Sequence, residues 1–97
     1  MRVIFSAASR KDLLAIAVFI AADNPARARS FVNELRVACA GLAEQADRFA
    51  VIPGYEAKGY RRRPHGHYSI IYFADQDTVR IFRVVHSARN LGQVLGD

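Results

Sequence analysis

Two strand-forming runs with almost nothing between them restrict this chain more than any other feature. "HYSIIYFA" (67–74) and "TVRIFRVVH" (78–86) are rich in β-branched and aromatic residues. Only "DQD" (75–77) separates them. A link that short forces the runs to fold back as antiparallel neighbours. Upstream, "GYRRR" (59–63) precedes a "PHGH" turn and reads as a third strand. The second half of the chain is therefore expected to be a three-stranded antiparallel meander. Strict alternation puts Tyr68, Ile70 and Tyr72 on one face. In the last strand it separates Arg80, Phe82, Val84 and His86 from Val79, Ile81, Arg83 and Val85.

The first half is organised differently. "RVIFS" (2–6) reads as a short strand, and Ser6 can then cap a helix. Leu13, Ile16, Ala17 and Ile20 follow at three- and four-residue spacing. "DNP" (23–25) ends that helix and opens another, with Asn24 as cap and Pro25 at the first helical position. Ala28, Phe31, Val32, Leu35, Ala38, Cys39 and Leu42 form its apolar stripe, with Arg29, Asn33 and Arg36 opposite. So short a break implies an antiparallel helical hairpin. Residues 46–58 lack periodicity and read as a loop. The order β-α-α-β-β-β gives an α+β fold: an N-terminal strand, an αα-hairpin, then the meander, with the helices packed on one face of a small sheet. The other face is left open for function. Leu13, Ile16, Ile20, Phe31, Leu35, Ile70, Ile81 and Val85 are the expected core.

Residues 1–97 suffice for one domain and not for two cores. The net charge of +5 is uneven: residues 1–57 hold seven basic and six acidic groups, residues 58–97 seven basic and three acidic. Such a surface concentrates anionic partners, whether nucleic acid or an acidic protein segment. Cys39 is the single cysteine, which rules out an internal disulfide and makes a reducing, cytoplasmic setting the default. "LLAIAVFIAA" (13–22) imitates a signal peptide, but Asp12 and Asp23 bracket it and ten residues cannot span a bilayer. It reads as a buried helix, and no membrane role is expected.

Arg61, Arg62 and Arg63 cannot all face one ligand, because strand alternation turns Arg62 away from the other two. They serve either as edge guards against strand pairing or as a rim for an acidic partner, and Arg80 and Arg89 extend that rim. Arg83, set among β-branched residues, needs a partner to offset its desolvation. His86 is the best acid–base candidate of the three histidines. "HGH" has no nearby cysteine and few acids, so no metal is expected. No phosphate loop or nucleophile triad is present, and no cofactor is expected.

The combination of "DNP", "GYR" (59–61), "HYSIIY" (67–72) and "VRIFRVVHSARNL" (79–91) resembles the RelE/ParE toxin superfamily of bacterial type II toxin–antitoxin modules, over roughly residues 2–91. The resemblance implies one of two activities. RelE-like members are endoribonucleases that cut messenger RNA on the ribosome, with strand arginines and often a terminal tyrosine or histidine. ParE-like members lack that set and poison DNA gyrase. Where the ribonucleases carry arginines, this chain has Ser69 and Ser87, and no tyrosine follows Tyr72. His86, Arg83 and Arg89 would be the remaining catalytic candidates. The resemblance therefore favours a ParE-like gyrase inhibitor without catalysis, neutralised by an acidic, partly disordered cognate antitoxin on the rim of Arg61, Arg62, Arg63, Arg80 and Arg89. A RelE-like ribosome-dependent endoribonuclease is the alternative. A small basic nucleic-acid-binding module comes third, and direct nucleic-acid binding is not expected, since the cations do not cluster on one recognition helix.

Overall fold

In a computed structural model describing residues 1–96, β1 (Arg2–Phe5) leads into α1 (Ala7–Ala21) and α2 (Pro25–Gln45). Then come β2 (Arg61–His65), β3 (Tyr68–Asp75), β4 (Thr78–His86) and a short α3 (Leu91–Leu95). Asp97, the last residue of the domain read from the sequence, lies outside the described residues. The strands form one sheet in the order β1-β4-β3-β2. β1 runs parallel to β4, and the other pairings are antiparallel.

Local chemistry explains the helix starts. The Ser6 hydroxyl accepts from the Ser9 N–H at 2.9 Å, and Asn24 Oδ1 accepts from the Arg27 N–H at 3.0 Å. Each side chain satisfies a first-turn donor that the helix itself cannot. Between β3 and β4 the turn is tighter than "DQD" suggested. Asp75 already pairs with Thr78, and Gln76 takes the positive φ of 57° that a two-residue hairpin demands. In the same way Gly66, at φ 58°, turns β2 into β3. β2 consequently starts two residues later than "GYRRR" and runs on through Pro64 and His65.

Leu13, Ile16, Phe31, Leu35, Cys39 and Leu42 from the helices meet Ile70, Tyr72, Val79, Ile81 and Val84 from the sheet. Ile20 packs against this core while remaining partly exposed. The Tyr72 ring is fully buried, and its hydroxyl donates to the Ala46 carbonyl at 2.8 Å. Burial pushes that phenol above its ordinary value.

Val85 corrects the expected core, because it lies on the opposite face from Ile81. The cause is a register shift: Ile71 pairs with Arg83 but Tyr72 pairs with Ile81, so Phe82 is an extra residue in β4. A one-residue insertion inverts every later side chain. Ser6 holds the bulge, its hydroxyl donating to the Phe82 carbonyl at 2.7 Å while its N–H donates to Ile81 O at 3.0 Å. Phe82 and Val85 thus face away from the helices, and Val84 faces them.

That second face is not open, which is the other correction. Ile52, Ile71, Val85 and Leu95 form a small core there, flanked by Tyr55, Tyr60, Phe82, Leu91 and Val94. Part of the segment 46–58, read as a loop, and a C-terminal helix beyond the elements read from the sequence build it. Residues 50–52 run beside β2, with Ile52 N–H donating to Tyr60 O at 2.8 Å and Arg62 N–H donating to Ala50 O at 3.1 Å. α3, capped by the Asn90 side chain at Gly92 N–H (2.8 Å), brings in Leu95. Among the described residues, no helix is long and apolar enough to cross a membrane.

Candidate functional site

β3 places Ser69 and the end of β4 places Ser87 side by side, their hydroxyls 3.1 Å apart. Ser69 is fully buried. From β2, Arg62 reaches over both: its Nε donates to Ser69 Oγ at 2.7 Å, and its Nη2 lies 3.5 Å from the Ser87 carbonyl. The cluster is internally satisfied, and no buried side-chain N or O among the described residues lacks a partner. A guanidinium bonded to neutral hydroxyl and carbonyl groups braces the strand ends. It leaves no acid–base pair at this point.

The other arginines of the basic half diverge. Arg61 and Arg63 point to the helix side, as alternation requires. Arg61 Nη1 donates to Phe49 O at 2.6 Å, and Arg63 lies 5.0 Å above the Phe49 ring. Both therefore anchor the segment after α2. Arg80 is exposed and 3.6 Å from Asp75, and Arg89 is exposed on the turn after β4.

Arg83 and His86 do not share a site. Arg83 makes a bidentate ion pair with Asp12 of α1, at 2.8 and 2.9 Å, and the same carboxylate accepts from Val84 N–H at 2.9 Å. That pairing raises the Arg83 pKa further. The bulge turns His86 to the helix side, where it stacks on His67 and meets the Tyr68 edge. His65 lies 3.5 Å from Glu34, which Arg27 also binds at 2.6 Å. The Arg27 guanidinium is the main cause holding the Glu34 carboxyl below its ordinary value. Cys39 is buried, and burial pushes its thiol up to about 12, so it holds no thiolate at neutral pH. Among the described residues no three His, Cys, Asp or Glu side chains converge for a metal.

Residues 13–22 read as a buried helix, but one side of it, the outer face of the helical hairpin, is exposed. Leu14, Val18, Phe19 and Val37 are 64–75% exposed. Between α1 and α2 runs a shallow groove floored by Ala17, Ala21, Ala28 and Val32, with Arg29 and Arg36 along one side. The signal was in the pattern: α1 has more apolar residues than one stripe can bury.

Fold and side-chain placement define a small α+β domain in which Arg62, Ser69 and Ser87 brace one another and Arg83 pairs with Asp12. A family model described as ParE toxin of type II toxin-antitoxin system, parDE, matches residues 3–91, and the chain belongs to that family. No curated protein matches it. Similar solved structures include three toxin–antitoxin systems. The chromosomal ParDE system of P. aeruginosa superimposes with a TM-score of 0.75 at 20% identity, covering 89% of this chain and 95% of that one. The RelBE2 toxin–antitoxin complex of Mycobacterium tuberculosis gives 0.62 at 24% identity, covering 91% and 92%. The RelB-RelE complex of Methanococcus jannaschii gives 0.54 at 25%, covering 86% and 88%.

Proposed function

We propose that this toxin acts by binding and poisoning DNA gyrase in the cytoplasm, with no chemistry of its own. The observation that carries the reading is the pairing of Ser69 with Ser87 under Arg62. Cleavage through a ribose 2′-hydroxyl needs a base, a proton donor and a cation at the phosphorane. Here Arg83 is held by Asp12, and His86 faces the helices, on the far side of the sheet from Phe82 and Val85. The ribonuclease alternative would be left with His86 and the neighbouring Arg89, with Arg83 engaged elsewhere. Purified protein added to translating ribosomes is expected to leave messenger 5′ ends unchanged, while gyrase supercoiling in a parallel reaction is inhibited. Codon-phased cuts that disappear in His86→Ala, with gyrase unaffected, would reverse the assignment.

The similar structures are of ParDE and RelBE systems, and a cognate antitoxin is the partner this reading assigns. Its docking is better served by the hairpin groove than by Arg61, Arg62 and Arg63, whose side chains hold internal contacts. The groove joins exposed apolar residues to the cations Arg29 and Arg36. Arg29 and Arg36 beside an apolar floor make an amphipathic acidic segment the complementary occupant. Reversing both charges, Arg29→Glu with Arg36→Glu, is expected to slow antitoxin association about ten-fold at low salt and flatten its salt dependence, with little change in off-rate. Val18→Ala, at the exposed apolar position lining the groove, should instead speed dissociation. Unchanged association in a stopped-flow salt series would remove the groove from the interface.

A further inference from the structure

A second concavity lies where the helical hairpin meets the β2–β3 turn, and the toxin reading leaves it unused. Phe19, Arg27, Phe31, His67, Tyr68 and His86 line an open cleft of about 400 Å³ together with Ile20 and Gly66, the Arg27 guanidinium lying 5.1 Å over the Phe31 ring. Its walls are mainly rings. The His67 and His86 planes are 11° apart with centroids at 6.2 Å, Tyr68 meets His86 edge-on at 5.4 Å, and Phe31 lies 5.5 Å from Tyr68. Phe19 is 75% exposed, and both His67 and His86 are exposed, so these faces are accessible.

One polar group in the cleft has a defined sense. The Ala88 N–H donates to His86 Nδ1 at 3.1 Å. A neutral His86 must therefore carry its proton on Nε2, which becomes a donor. That bond also weighs against a metal at Nε2, because a metal there would move the proton to Nδ1 and set it against the Ala88 N–H. An aliphatic side chain in the cleft would leave the donor covered and unpaired. A flat heteroaromatic ring with an acceptor on its edge satisfies both the ring walls and the donor. Arg89, whose N–H donates to the His86 carbonyl at 3.0 Å, is held on the adjoining turn with an exposed guanidinium for a following phosphate.

We propose that this cleft binds an unpaired nucleobase of a single-stranded nucleic acid. Base faces in a duplex are covered by their neighbours, so a paired strand does not fit; an unpaired base can stack on exposed rings whatever its sequence. Nothing in the cleft selects for or against a 2′-hydroxyl, and the experiment takes DNA and RNA separately. The proposal is independent of the gyrase assignment, since binding is read on the isolated protein.

The test is fluorescence anisotropy with labelled short single strands of DNA and of RNA of one sequence, beside the matching DNA duplex. The expected result is single-strand binding at least about ten-fold tighter than duplex binding. Phe19→Ala and His67→Ala, both at exposed positions, should each weaken it by about 5- to 150-fold, the loss of one stacked base. His86→Phe keeps a ring and removes the donor; it should retain most of the affinity and flatten preferences among homopolymer strands. No binding, equal binding to duplex, or affinities untouched by Phe19→Ala and His67→Ala would each overturn the proposal. So would an aromatic peptide that shifts the ring resonances of Tyr68 and His86 where oligonucleotides do not, which would make the cleft a protein anchor.

Discussion

Asp12→Ala is expected to lower stability by about 3–5 kcal/mol, the cost of breaking a largely desolvated ion pair by removing one partner. The carboxylate and guanidinium side chains are 14% and 20% exposed, so bulk screening is weak. Two groups lose their partner at once: the Arg83 guanidinium and the Val84 N–H, both bonded to Asp12. Beyond Ile81, β4 has no further β1 residue beside it, and Asp12 joins α1 to the strand there. In a domain whose whole stability is roughly 5–15 kcal/mol, the loss should lower Tm by roughly 10–25 °C. A double-mutant cycle with Arg83→Met isolates the pair. The double variant should recover much of the loss, because no charge is then left uncompensated. A single-variant loss below about 0.5 kcal/mol would reduce the pair to a surface contact.

Leu35→Ala should cost about 2–5 kcal/mol by a different route. Leu35 is fully buried in the main core, in the same cluster as Leu13, Phe31, Ile70 and Ile81. Removing its branch opens a cavity between two rigid layers that cannot both close on it. The matching control is Val37→Ala on the same helix, at an exposed position, expected to stay within about 0.5 kcal/mol. Urea unfolding of the two variants side by side checks the helix register, with the midpoint falling only for Leu35→Ala.

The sequence shows most clearly what depends on short-range chemistry. Ser6, "DNP" and the apolar spacing in α2 specify the hairpin, and two β-branched runs around a polar turn specify β3 and β4. It shows poorly what depends on one backbone irregularity or on distant partners. The bulge at Phe82 has no composition of its own, yet it moves Val85 and His86 across the sheet and so separates His86 from Ser69. The need of Arg83 for a partner was readable from its neighbours; Asp12, 71 positions away, was not. Arg62 read as a free edge charge because the buried hydroxyl beside it belongs to another strand. The second core escaped notice because Ile52, Leu91 and Leu95 sit in short segments with too few apolar residues for any period to show.

The position of β1 beside β4 also bears on how the toxin is made. β1, which leaves the ribosome ahead of the other three strands, finds its sheet partner in β4, which leaves after them, since the sheet order is β1-β4-β3-β2. A ribosome adding about 5–20 residues per second releases the helical hairpin early, but the sheet beneath it cannot close until β4 has left the exit tunnel. Until then the apolar faces of α1 and α2 have no sheet to cover them. The nascent chain is thus a client for whatever binds exposed helices until β4 pairs with β1.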